Sequence, residues 1–323
     1  MELRPFSEAD ITDWQTAVDR TNPSPSPLAG PEFIATTIRG WEKTYILRVG
    51  NTIIPLAKGN SRMLKFLNSD YYTGVPMFSL LGMTDLDHQL TPLLKELSGN
   101  WGIEIEFPTP LYDQYRNQLA ACDFVESGRY DYHVVPLPKT YDEWFSRHSV
   151  KRYSIRRAQN AGVKITLGGR ELVQSAYEMY SRSFERWRDM KTASTQHEYA
   201  RFLRIFEMPG SRARVGVAEY DGKVVASVIF CYYRRAAAYL YGGLDYDYKK
   251  IRANTLLQAE IIRHLIDHGI QEYNLGTSLG LEDLESFKES IGGERHQAVT
   301  LVRHRYPRIR RLLSILSPAR TRR

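Results

Sequence analysis

Apolar positions alternate with polar ones in some stretches of this chain and recur at helical spacing in others. Ile103, Ile105 and Phe107 are separated by Glu104 and Glu106, the period-two pattern of a strand with one buried face. Tyr45–Val49 and Ile53–Ala57 are apolar runs on either side of Gly50-Asn51, which predicts a hairpin. Leu111, Tyr115 and Leu119 recur every fourth residue and predict a helix. A further helix is expected from about Leu86 to Leu97, and a further strand from Val134 to Leu137. Thr21–Pro31 reads as a loop, because its prolines exclude both helix and central strand.

The second half punctuates itself in the same way. Thr140 and Glu143 form a capping box that opens one helix ending at Gly162. Helices follow over about Glu171–Met190 and Thr195–Phe206. Strands Val215–Tyr220 and Val224–Tyr232 meet at Asp221-Gly222, a strong hairpin turn. Ala237–Tyr241 is a third strand, closed by Gly242-Gly243. An amphipathic helix then runs to Gly269, followed by strand Tyr273–Leu275 and a Gly/Ser/Thr turn. Phe287 and Lys288 stand at the head of another helix, a glycine pair closes the unit, and Ala298–Val302 is a last strand. Both halves read as antiparallel hairpin, helix, strand, helix, strand. That order predicts an α+β protein of two like domains, each a mixed, mostly antiparallel sheet flanked by helices. The expected boundaries are 1–138, 139–307 carrying the site, and a basic tail over 308–323.

Composition sets the class. The 323 residues suffice for two ordinary domains, and the apolar share of 42% with a charged share of 25% is that of a globular protein. The net charge of +7 is concentrated. Arg303–Arg323 holds eight arginines and no acid, and without them the basic residues balance the 37 acidic ones. Arg147, Lys151, Arg152, Arg156 and Arg157 form a second cluster without nearby acids. Such patches bind phosphate, nucleic acid or anionic lipid, or are solvated faces. The N-terminus has no apolar signal core, and Cys122 and Cys231 sit in apolar surroundings. A cytoplasmic protein is expected, with reduced buried thiols, no metal site, and at most a peripheral place on the inner face of a membrane.

Seven segments follow one another along the chain: Asn22–Phe33, Tyr71-Tyr-Thr-Gly-Val-Pro76, Trp144–Val163 with its Ile155-Arg156-Arg157-Ala158 core, Tyr239–Gly243, Ala253–Gly269, Asn274-Leu275-Gly276 and Phe287-Lys288. In this order they resemble the Gcn5-related N-acetyltransferase (GNAT) superfamily, and within it the Fem-type and BioF2-like branch of two fused domains. The resemblance implies transfer of an acyl or aminoacyl group onto an amine of a cell-envelope, peptidoglycan or polysaccharide precursor. It implies a donor that is a substrate, aminoacyl-tRNA or acyl-CoA, with no tightly bound cofactor. Phe287-Lys288 matches the dipeptide that carries the important lysine of Fem-type transferases. One departure bears on the donor. The turn Lys249-Lys250-Ile251-Arg252-Ala253-Asn254 has no glycine where GNAT enzymes hold the CoA pyrophosphate on close backbone N–H groups.

Aminolysis needs a neutral amine, a stabilised oxyanion and reactants held together. Lys288 is expected to serve the oxyanion or the leaving 3′-oxygen as a cation, and Tyr241 to orient the acceptor or relay a proton. Arg182 and Arg186, spaced i, i+4 beside Trp187, suit phosphate recognition. Arg152 and Arg156 have the same spacing. Phe287, Asn254, Ser278 and Arg156 complete the candidate substrate-binding set, and Thr277, which follows the strand end with Ser278, is placed to line a site. Each also has a structural reading: a surface lysine, a packed strand aromatic, a solvated stripe, a helix cap, a turn former. Two alternatives stand beside the leading one. The first is acyl-CoA-dependent N-acetyl transfer. The second is a non-catalytic protein that docks on RNA or anionic membrane through its C-terminal arginines.

Overall fold

The computed structural model describes residues 2–20, 44–49, 51–58, 71–74, 86–96, 102–189, 196–207, 212–278 and 280–303. The chain divides into two compact units. One is Met1–Tyr130 with the chain from Gln297 onward; the other is Asp131–His296.

In the first unit the strands are β1 (Glu2–Pro5), β2 (Thr44–Val49), β3 (Thr52–Lys58), β4 (Tyr71–Gly74) and β5 (Gly102–Pro108). They pair in that order, antiparallel except for β4 with β5, which is parallel. Helix α1 (Ile11–Arg20) follows β1, α2 (Leu86–Glu96) precedes β5, and α3 (Thr109–Ala121) follows it. The alternation in β5 buries Ile103, Ile105 and Phe107, and the four-residue spacing in α3 buries Tyr115 and Leu119, all in one core. Strands β2 and β3 pair antiparallel with Val49 opposite Thr52, as the expected hairpin requires.

The second unit repeats this plan. Strands β7 (Lys164–Gly168), β8 (Ala213–Tyr220), β9 (Lys223–Tyr233) and β10 (Ala236–Leu244) pair antiparallel, and β11 (Glu272–Gly276) joins β10 in parallel. Asp221 and Gly222 both adopt positive φ, 51° and 71°, as the two-residue hairpin between β8 and β9 requires. Helices α4 (Tyr141–Arg147), α5 (Ser149–Asn160) and α8 (Ala253–Asp267) pack on one face of this sheet, and α6 (Val173–Asp189) on the other. Helix α7 (Tyr199–Glu207) packs on α6, and α9 (Glu282–Ser290) lies between β11 and β12 (Glu294–Arg303) in the chain.

The sixth strand of each unit comes from the other half of the sequence. Strand β6 (Val125–Pro136) pairs antiparallel with β11, and β12 pairs antiparallel with β5. The observed units therefore differ from the expected 1–138 and 139–307 division. Residues 131–138 go with the second unit, His133–Pro136 through their ladder with β11, while the chain from Gln297 returns to the first. No period in the sequence signals such a return, because ladder partners are set by register and not by neighbourhood.

Other expectations shift at their ends. The single helix expected from Thr140 to Gly162 is broken at His148 into α4 and α5, though Thr140 Oγ1 accepts from Glu143 N at 3.3 Å and Gly162 ends α5 at φ 84°. Strand β10 continues through Gly242-Gly243 to Leu244. Helix α9 starts at Glu282, so Phe287 and Lys288 lie in its last two turns and not at its head; Glu282, Asp283 and Glu285 fill the first turn, where the helix dipole favours acids. Among the described residues no helix is long and apolar enough to cross a membrane. The proline-rich loop and the basic tail lie outside the described residues.

Candidate active site

Strands β10 and β11 are paired only from Ala236–Glu272 to Ala238–Asn274. Beyond that, β10 goes on for six residues and β11 for two. The parallel ladder thus ends partway along β10, short of the end of β11.

Lys288 is one of these groups. Its side chain runs from α9 to the end of β11, where Nζ donates to the carbonyl oxygens of Gly276 at 2.9 Å and Thr277 at 2.8 Å. The residue is 5% exposed. Burial brings its ammonium down to about 8, against a smaller opposing pull from Glu285. At pH 7 it remains a cation, and it gives up its proton far more readily than a surface lysine. Gly276 permits the turn by adopting φ 69°, with Asn274 Oδ1 accepting from its backbone N–H at 2.8 Å.

Ser278 follows at once. It is 3% exposed and its Oγ is buried without a hydrogen-bond partner. Phe287 packs its ring on the unit's core, with Lys151 Nζ 5.0 Å from the ring centroid. The Lys151 ammonium is pushed down by burial and by the neighbouring Arg252 guanidinium. His133 on β6 stands opposite Gly276 in the β6–β11 ladder, 1% exposed, with neither ring nitrogen hydrogen-bonded. Nothing about His133 in isolation singled it out in the sequence. The available signal was a polar residue continuing the apolar run Val134-Val135 inward along one strand.

Lys288, Phe287, Ser278 and Thr277 are thus brought together, and Tyr241 is not brought to them. A register shift between Tyr239 and Tyr241 turns the second ring to the α6–α7 side, where it packs on Tyr180, Phe202 and His197 at centroid distances of 5.7, 4.6 and 5.6 Å. Arg182 and Arg186 do share a helix face. Arg182 lies 3.5 Å from Asp245 and Arg186 stacks 4.2 Å over the Tyr246 ring, which Lys249 also approaches at 4.0 Å. Trp187 meets Tyr180 edge-on at 6.3 Å. Asn254 is the second residue of α8, just after Arg252 at φ 67°. Arg156 lines a separate cleft of about 480 Å³ with Tyr141, Phe145, Ile155 and Arg263.

Comparisons with known proteins agree with this architecture. The family model described as an acetyltransferase (GNAT) domain matches residues 146–289. Among solved structures, FemX superposes with a TM-score of 0.71 at 12% identity, covering 98% of this chain and 99% of its own. A protein of unknown function from Bacteroides thetaiotaomicron gives 0.64 at 14% identity, covering 94% of this chain and 99% of its own. A domain described as the C-terminal part of a lysylphosphatidylglycerol synthetase from Agrobacterium fabrum gives 0.61 at 13% identity, covering 96% of each chain. No curated protein matches the sequence. Residues 146–289 match the model of a GNAT acetyltransferase domain, and the chain as a whole has the fold of FemX.

Proposed function

We propose that the protein is an N-acyltransferase that moves an acyl or aminoacyl group from an activated ester or thioester to an amine. The observation that carries this reading is the buried ammonium of Lys288, held at the open end of the β10–β11 ladder by two backbone carbonyls. A desolvated cation at fixed position stabilises charge developing on a carbonyl or leaving oxygen, because it needs no reorganisation as the reaction proceeds. One oxyanion donor of this kind is worth about 3 kcal/mol. Its lowered proton affinity also suits it to protonate a leaving oxygen.

Aminoacyl-tRNA is the donor this reading favours. The turn before α8 carries Lys249, Lys250 and Arg252 and no glycine, and it is Arg252 that takes the left-handed conformation at the head of α8. A turn without glycine is poorly suited to the close backbone approach a pyrophosphate needs. The likeness to FemX and to the lysylphosphatidylglycerol synthetase domain supports the same choice, and an envelope precursor bearing an amine is the acceptor it implies. Acyl-CoA remains the second donor to test.

The experiment supplies the purified protein separately with aminoacyl-tRNA and with acetyl-CoA, together with an amine-bearing envelope precursor. Donor consumption and product mass are followed for the wild type and Lys288→Ala. Transfer from tRNA that drops by about 10²–10³ in the variant supports the proposal. Equal transfer by the variant overturns the role of Lys288, and consumption of neither donor overturns the reading.

A further inference from the structure

Three buried hydrogen-bonding atoms beside Lys288 are unused: Nδ1 and Nε2 of His133 and Oγ of Ser278. Each such atom costs about 1–3 kcal/mol if left unpaired. A core that needed only packing would hold apolar side chains here. The nearest carboxylate oxygen to His133 Nε2, Oε1 of Glu289, is 3.8 Å away, too long for a hydrogen bond.

His133 and Lys288 meet through the backbone of Gly276. His133 is the ladder partner of Gly276, at the point where the register shifts between Asn274 and Gly276. The carbonyls of Gly276 and Thr277 hold the Lys288 ammonium, and Ser278 is the next residue. Across from this edge, a Cβ on Gly293 would meet the Lys288 carbonyl at 2.8 Å and the His133 Cβ at 3.3 Å, so the imidazole lies against the end of α9. The charged groups that act on it are Lys288, Glu285 and Glu289 of α9 and Arg295 of β12. Burial and then Lys288 hold the imidazole below its usual range, so at pH 7 it is neutral and has a lone pair to offer.

We propose that His133 accepts the proton shed by the attacking amine while Lys288 protonates the leaving atom. This rests on the transferase reading. The amine lone pair forms the C–N bond as the carbonyl π pair moves onto oxygen. That pair returns and the bond to the leaving oxygen or sulfur breaks. The amine proton passes to an unpartnered ring nitrogen of His133, and Lys288 Nζ gives its proton to the leaving atom. Return of the proton from His133 to Lys288 completes the cycle, with one proton moved from amine to leaving group and nothing oxidised. Only one member of the pair is positive at any moment, as their mutual repulsion requires.

The pairing is read without substrate. The imidazole carbon resonances of His133 are titrated by NMR in the full chain, in the wild type, Lys288→Met and Lys288→Arg. The expected midpoint lies below that of an exposed histidine in the wild type, rises in Lys288→Met and stays low in Lys288→Arg. An unmoved midpoint in Lys288→Met overturns the pairing. With whichever donor proves active, His133→Gln is expected to lower kcat by about 10²–10⁴ with KM little changed and to remove the low-pH limb of the rate profile. Transfer with an unchanged profile in His133→Gln overturns the role of His133 alone. Absence of transfer from either donor overturns the reading beneath it, while the NMR midpoint still decides the pairing.

Discussion

Tyr239 and Tyr241 lie two residues apart on one strand, yet their rings pack on opposite faces of the sheet in their unit. Tyr239 pairs with Phe230 and joins the core beneath α8; Tyr241 pairs with Ile229 and meets Tyr180 and Phe202 of α6 and α7. The register shift between them breaks the alternation that a regular strand would impose. Tyr241 is therefore a packing residue on the side away from the core that α9 joins through Phe287 and Ile291. Tyr241→Ala is expected to destabilise the second unit by about 2–3 kcal/mol through the lost ring contacts, while Tyr241→Phe keeps the cluster and stays within about 1 kcal/mol of the wild type. Urea unfolding of the three proteins checks this.

Lys288 sets an upper limit on pH. The transfer needs its ammonium, whose proton is lost near pH 8 because burial disfavours the charge. The rate kcat/KM is expected to fall above about pH 8. In Lys288→Arg the guanidinium keeps its proton over the whole measurable range, so that limb should vanish even if the overall rate is reduced. A falling limb that persists at the same pH in Lys288→Arg would assign it to another group.

The same burial makes Lys288 costly to the fold. Its proton affinity is lower in the folded chain than in the unfolded one, from 10.5 to about 8. Below the folded value the charge is carried in both states and the penalty is full. As pH rises from 8 towards 10.5 the unfolded chain binds more protons than the folded one, and stability increases. The depression corresponds to about 3 kcal/mol, partly offset by the two carbonyl hydrogen bonds. Lys288→Met is thus expected to be at least as stable as the wild type at pH 7, with the gain shrinking by pH 10. Thermal unfolding at both pH values checks it. A stabilised but inactive variant is the signature of a residue kept for chemistry.

Much of the fold is legible in the sequence because period and punctuation carry it. The alternation in β5, the four-residue spacing in α3 and the Asp221-Gly222 hairpin all follow from local rules. What local rules do not carry is the long-range pairing of β6 with β11 and of β12 with β5, which depends on register across well over a hundred residues. The site divides along the same line. Phe287-Lys288 was readable as a dipeptide, and Ser278 as its near neighbour after a strand end. His133 lies 155 positions before Lys288 in the sequence and is joined to the site only by the ladder that brings it opposite Gly276. The charge and spacing of Arg156 suggest a phosphate contact, but its neighbours on α4 and α8 place it in another cleft.

Trp144 ties the helix that carries Lys288 to the rest of its unit. The indole is 1% exposed, and its Nε1 donates to the Ile291 carbonyl at 3.1 Å, one residue past the end of α9. Ile291 is itself buried, so in Trp144→Phe that carbonyl has no water to turn to. The unpaired acceptor costs about 1–3 kcal/mol, and the smaller ring leaves a gap in the core as well. The stability loss falls at the end of α9, three residues from Lys288. A shift of even 1 Å there moves the ammonium off the Gly276 and Thr277 carbonyls and out of line with a reacting oxygen. Trp144→Phe is therefore expected to lower the melting temperature and to reduce kcat by roughly tenfold or more while leaving KM for the donor nearly unchanged. Steady-state kinetics well below the melting temperature separate the two effects. A kcat equal to that of the wild type in a destabilised protein would show that α9 is held in place by its remaining contacts.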